Sequence, residues 1–144
     1  MAFLPSDGIQ GLSQSTLDIL EAYNAPNANR TLLLKQWADD RGLRPQDVSS
    51  IKLQDGRFAP YVRASGLLYK HRDDVKESNV SDPNVIGKFV WFKATLVTTK
   101  GQTFQAIGVA TLESHNQVMK ADTAAMARCY KRAFNFDGIV EGEV

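Results

Sequence analysis

The sequence predicts an α+β fold: an antiparallel β-sheet with one long helix packed across it, preceded by shorter N-terminal helices. Three observations predict it. Residues 88–99 carry Phe89, Val90, Trp91, Phe92, Thr95, Leu96 and Val97, a run of aromatic and β-branched side chains suited to a strand. Lys100-Gly101 then reverses the chain into a second such run over 103–112. Residues 117–134 change to helical periodicity, where Val118, Met119, Met126, Cys129, Tyr130, Ala133 and Phe134 share one broad sector.

The remaining elements follow in chain order. The first dozen residues lack periodicity and are expected to form a mobile arm. A short helix is expected over 15–23, with Leu17, Ile19 and Leu20 as its apolar content. Asn29 can cap a second helix over 29–41, which Gly42 ends. Leu32, Leu33, Leu34 and Trp37 surround its first turns, more than one packing face needs, so this helix is expected at a subunit interface. Residues 51–53 and 57–59 read as a hairpin, because Asp55-Gly56 supplies the positive φ of a tight turn. Pro60 lacks a donor and pushes the second strand toward an edge. A helix over 62–72 carries Leu67 and Leu68 and is weakened by Gly66, and Asp82-Pro83-Asn84 is a turn. Apolar residues lie on both faces of the 88–112 hairpin, so both are expected to be at least partly covered. Three segments result: residues 1–28 as an arm with a short helix, 29–136 as the α+β domain, and 137–144 as an acidic tail.

Composition bounds the function. The chain has 144 residues, 43% hydrophobic and 23% charged, which fits one globular domain and excludes disordered or collagen-like readings. No apolar run approaches the ~18 residues of a spanning helix. The start, Met-Ala-Phe-Leu-Pro-Ser-Asp, lacks a signal peptide's basic front and long apolar stretch. A cytoplasmic protein with no membrane partner is the expectation. Cys129 is the single cysteine and has no partner for an internal disulfide.

Catalytic patterns are poor. His71-Arg72-Asp73 matches a kinase catalytic-loop triplet, but no glycine-rich phosphate loop or Asp-Phe-Gly accompanies it. His71 and His115 have no companions at metal-ligand spacing, and Cys129 falls in the apolar helical sector. No enzyme, metal, cofactor or small-molecule substrate is expected.

Charge is more informative. Residues 1–49 hold 4 basic and 6 acidic side chains, 50–136 hold 13 and 7, and 137–144 hold 3 acidic ones. A basic middle lies between acidic ends. On the long helix Lys120, Arg128, Lys131 and Arg132 share the sector opposite the apolar one, with Ala121 and Ala124 among them. Such a row can follow a polyphosphate backbone, and the alanines let that backbone come close. Deletion of 137–144 is then expected to tighten polyanion binding at low salt.

The run Lys120-Ala-Asp-Thr-Ala-Ala-Met-Ala-Arg128-Cys-Tyr-Lys-Arg-Ala133, following a long strand hairpin, resembles the single-strand annealing proteins. That superfamily includes phage annealases and the inner domain of the eukaryotic recombination mediator. Its helix reads roughly Ala-x-Thr-x-Ala-x-x-Arg-Ala; Ala121, Thr123 and Arg128 match, while Cys129 stands where Ala is usual. The segment from Lys52 to Tyr69 is similar to one in small annealase-like proteins of phages and archaea, so the resemblance covers about residues 50–136.

The resemblance implies a β-β-β-α core and single-stranded DNA bound along a basic groove between helix and sheet. It also implies annealing of complementary strands in recombination and repair, by a homo-oligomeric ring or filament that hydrolyses no nucleotide. By position Arg128 corresponds to the helix arginine and Lys131 to the basic residue one turn later. Lys120 and Arg132 come from the helical wheel. Lys93 and Lys100 on the hairpin, and Arg63, Tyr69, Lys70 and Arg72 before it, complete the candidates, with Tyr69 and Trp91 as possible stacking platforms. The rival functions are a structural or assembly protein using the fold for subunit contacts, and an RNA-binding module.

Overall fold

In the computed structural model, which describes residues 14–113 and 115–143, two helices lead into two β-sheets that share one long helix. The expected N-terminal arm lies outside the described residues up to residue 13. Helix α1 spans Gln14–Tyr23 and α2 spans Arg30–Asp40. The Asn29 side chain accepts a hydrogen bond from the Leu32 amide at 3.2 Å, so a free N-terminal donor is satisfied as the cap residue predicts.

The apolar surplus of α2 is mostly spent inside the chain, which corrects the premise of a subunit interface there. Trp37 and Ala38 are buried, Leu33 and Leu34 are half-buried, and Leu32 is half exposed. The Trp37 ring meets Phe136 edge-on at 6.0 Å. Arg41 locks the contact, pairing its guanidinium with both Asp137 oxygens at 3.0 and 2.9 Å.

A short 3-10 turn, Pro45–Asp47, precedes strand β1 (Val48–Lys52), which pairs antiparallel with β2 (Phe58–Val62). Strand β2 is central rather than an edge, because β7 (Ile139–Val140) runs parallel along its other side. Pro60 is tolerated because β7 is only two residues long and pairs with Tyr61 and Val62, beyond the proline. Helix α3 covers Ala64–Lys70 and buries Leu67. It is shorter than the pattern over 62–72 predicts, since Val62 belongs to β2 and His71 is its C-cap.

The second sheet contains β3 (Val75–Val80), β4 (Asn84–Ile86), β5 (Phe89–Thr98) and β6 (Thr103–Thr111), followed by α4 (His115–Phe134). β3 and β4 pair with successive stretches of β5, β3 with Ala94–Thr98 and β4 with Phe89–Trp91. Ser81 bridges them, giving its amide to the Lys93 carbonyl at 2.8 Å and accepting the Lys93 amide on its hydroxyl at 2.9 Å. They act as one interrupted strand, so the order is three strands and a helix. The fold is α+β, with α4 packed across an antiparallel sheet.

Alternation along β5 and β6 sends Val90, Ala94, Leu96, Ala106 and Ala110 toward α4 and buries them. The other face is only partly covered among the described residues: Trp91, Lys93, Thr95 and Val97 on β5 are half-buried there. Ile107 and Val109 are 48% and 57% exposed there, beside Phe89. Among the described residues no helix is long and apolar enough to cross a membrane.

Candidate nucleic-acid interface

Helix α4 owes its position to small residues. A Cβ at Gly108 would overlap the Ala121 carbonyl oxygen and lie 3.0 Å from the Ala125 amide nitrogen, so helix backbone rests on strand backbone. On its other side Ala124 lies under Gly142, whose φ of +91° lets the chain pass closely over the helix. The alanines among the cations therefore admit a backbone, as the sequence suggests, but that backbone is the protein's own. Ala121, Ala124, Ala125, Ala127 and Cys129 are all buried, and α4 is covered on two sides.

This contact brings a subset of the candidate cations to the edge of β6 that pairs with no strand among the described residues. Arg128 donates to the Ile107 carbonyl and to the Gly142 carbonyl, both at 3.0 Å. Arg132 donates to the Gln105 carbonyl. The two arginines thereby occupy acceptors of a strand edge that would otherwise be open to pairing. Lys120, Arg128 and Tyr61 line an open groove of about 370 Å³ between α4, β2 and the chain after Val140. Lys93, Arg128, Arg132, Gln105 and Ile107 line a second of about 460 Å³. Arg128 belongs to both, and from Lys120 to Arg132 the helix rises about 18 Å.

The other candidates lie elsewhere. Lys131 is turned to the C-terminal segment, where its Nζ meets both Glu143 oxygens at 2.8 and 2.9 Å. Lys100 sits at the β5–β6 turn, lining a groove with His71, Asp74 and Phe134. Arg63 precedes α3 and donates to the Gln46 carbonyl at 3.2 Å. Lys70 lies 5.7 Å from the Phe136 ring, and burial holds its ammonium below the usual lysine range. Trp91 is half-buried in β5 and paired across to Val109.

Tyr69 is 40% exposed, yet its ring is not a free stacking platform. The Arg44 and Arg72 guanidinium carbons lie 3.8 and 4.2 Å from its centroid. Arg44 also pairs with Asp47 at 2.6 Å. Burial pushes the Asp47 carboxyl up, but hydrogen bonds from Arg44 and Ser65 outweigh it and hold the group below its usual range. From sequence Arg44 belongs to an acidic segment and is expected to matter little to binding; only folding carries it to Tyr69 on α3. Tyr61 was missed for a similar reason: it reads as a strand residue, yet borders the Arg128 groove. Burial, reinforced by the Glu141 charge, pushes its phenol up to about 12, so it stays a neutral donor.

His71 stacks on Phe134 at 3.8 Å, and burial holds its imidazole below the usual range against the pull of Asp74. Cys129 is fully buried, with its Sγ 3.3 Å from the Phe104 carbonyl, and burial pushes the thiol up. Among the described residues no group of three His, Cys, Asp or Glu is placed to hold a metal ion.

Removing Arg128 has a structural cost that an unattached surface cation would lack. Arg128→Ala should lower stability by about 1 kcal/mol, above the ~0.5 kcal/mol of an ordinary surface change, because two carbonyls lose a charged donor. Arg128→Lys should recover part of it. Urea unfolding of the three proteins checks this, and equal midpoints would show that the two hydrogen bonds carry no stability. Among known proteins, no family model matches the chain, and no curated protein matches it.

Proposed function

We propose that the chain binds single-stranded DNA along the β6 edge and anneals complementary strands in recombination and repair, without nucleotide hydrolysis. The observation that carries this reading is the alignment of Lys120, Arg128 and Arg132 along one helix, with Lys93 beside them, on two adjoining grooves. Cations spaced over about 18 Å of helix suit successive phosphates of one strand. The grooves are open, so a strand held by its phosphates keeps its bases accessible for pairing. Phosphate contacts carry no base information, so sequence preference should be weak. Exposed Ile107 and Val109 at the groove margins offer apolar surface to bases.

The apolar, partly open outer face of β4, β5 and β6 supports a homo-oligomer, a ring or filament, as part of the same reading. Ile86, Phe89, Ile107 and Val109, which the strand register places on this face, are all about half exposed or more. The same face favours the rival reading of an assembly protein that uses it without nucleic acid.

Gel shifts at low salt on single-stranded DNA, duplex DNA and RNA separate these readings. The expected order is tightest binding to single-stranded DNA, with faster pairing of complementary oligonucleotides and a light-scattering mass of several chains. No binding to any nucleic acid by an oligomer would favour assembly, and preference for RNA would favour the RNA-binding module.

A further inference from the structure

We infer that the turn Glu141–Glu143 is a built-in anion that occupies the inner side of the α4 cation row and is displaced by a nucleic-acid phosphate. The inference rests on the single-strand-binding reading above. Glu143 is held as a phosphate oxygen pair would be. Its Oε1 accepts from Lys131 Nζ at 2.8 Å and from the Val140 amide at 2.8 Å, and its Oε2 lies 2.9 Å from the same ammonium. The two side chains are only 15% and 18% exposed, so solvent screens this pair less than a surface one. One residue earlier, the Gly142 carbonyl takes one arm of the Arg128 guanidinium. The turn thus draws on Lys131 and Arg128, one cation the sequence assigns to DNA and one that lines both grooves.

The segment divides into a fixed and a releasable part. Ile139 and Val140 are buried in β7, paired with β2, and Phe136 and Gly138 are buried before them. Deleting 137–144 would therefore strip a strand from the core, so the deletion expected from the sequence is not a clean test. Beyond Val140, Gly142 is exposed and Glu141 and Glu143 are half-buried. This part is held by polar contacts and by Gly142 over Ala124: Glu141 donates its amide to the Val62 carbonyl at 3.0 Å and accepts from the Ala64 amide at 3.0 Å, and Glu143 holds Lys131. A phosphate that takes over Lys131 and Arg128 gives both cations a new partner, which lowers the cost of release. Since only molecules with the turn open present both cations, observed affinity is the open-state affinity multiplied by the open fraction.

The test uses the full chain and a labelled thymidine oligonucleotide at low salt. Glu143→Gln keeps the shape and the Val140 acceptor but removes the charge. It should bind roughly 3- to 10-fold tighter than the parent, with the difference shrinking as salt rises. Glu113→Gln, which removes an equal charge from an exposed site 3.8 Å from Lys88, should change affinity less than about 2-fold. Equal tightening by both variants would reduce the effect to net charge and overturn the inference. Equal affinity of parent and Glu143→Gln would overturn it while leaving single-strand binding intact. If neither binds the oligonucleotide, the single-strand reading itself fails and this inference with it. Hydrogen exchange on the parent checks release without any variant. Adding oligonucleotide should speed exchange of the Val140 and Glu143 amides, and unchanged or stronger protection would overturn the displacement.

Discussion

Gly108→Ala should destabilise the protein by about 3 kcal/mol or more, at or beyond the upper end of ordinary overpacking, and lower its melting temperature by on the order of 10 °C. The reason is what the new methyl would meet. Its Cβ would overlap the Ala121 carbonyl oxygen and stand 3.0 Å from both the Ala121 carbonyl carbon and the Ala125 nitrogen. These are backbone atoms inside a 20-residue helix, so no single rotamer change relieves the clash. The whole of α4 must lift from β6, which pulls Ala121 and Ala125 out of van der Waals contact along the core. Arg128 and Arg132 would lose their carbonyl partners on β6 in the same movement. Gln105→Ala, an exposed change on the same strand, should stay within about 0.5 kcal/mol. Thermal unfolding followed by circular dichroism reads both. A Gly108→Ala midpoint equal to that of the parent would show that helix and strand are not in backbone contact.

That contact explains which parts of the fold are legible in the sequence. Strands β5 and β6 and helix α4 are, because Phe89 to Val97 is dense in aromatic and β-branched residues and the helix sector is wide. Strand β3 is not. Val75-Lys-Glu-Ser-Asn-Val80 is mostly polar, since its middle four residues are exposed. Its strand character comes from pairing with β5 rather than from its own composition. Strand β7 is two residues long and pairs with Tyr61 and Val62, far upstream, so no local pattern announces it. Its burial turns what reads as an acidic tail into part of a core.

The candidate site divides along the same line. A helical wheel places Lys120, Arg128 and Arg132 on one side of α4, because spacing on a helix is fixed by geometry. It also marks Ala121 and Ala124 as sites of close approach. What it does not carry is whose backbone approaches, and the answer is Gly108 and the turn at Gly142. Lys131 shows the consequence. Sequence spacing makes it the neighbour of Arg132, yet it points into the Glu143 carboxylate. Tyr69 is exposed as its position suggests, but its near neighbour Arg72 and the distant Arg44 lie over its ring, and no pattern signals the second of these.

Lys120→Gln with Arg132→Gln should lower single-strand affinity by roughly 100-fold at low salt, about 10-fold for each lost charge-assisted phosphate contact. These two are the appropriate pair because they belong to the row without being tied to the C-terminal turn. Lys120 is exposed at the mouth of one groove, and Arg132 is exposed beside the other with one bond to the Gln105 carbonyl. Glutamine keeps much of the length of both side chains, so the stability loss should remain about 1 kcal/mol or less. The diagnostic readout is the salt dependence. Each phosphate contact on a single strand contributes about 0.7 to the slope of log affinity against log salt, so the double variant should lose about 1.4. Arg132→Lys should retain charge and most of the slope but part of the affinity, because lysine cannot offer a planar fork to two oxygens. Lys76→Gln, on exposed β3, should leave both quantities nearly unchanged. Annealing rates of complementary oligonucleotides should fall with affinity, since the same phosphates hold the strand in place. A double variant that stays folded and binds with the parent's affinity and slope would show that phosphates do not follow this row.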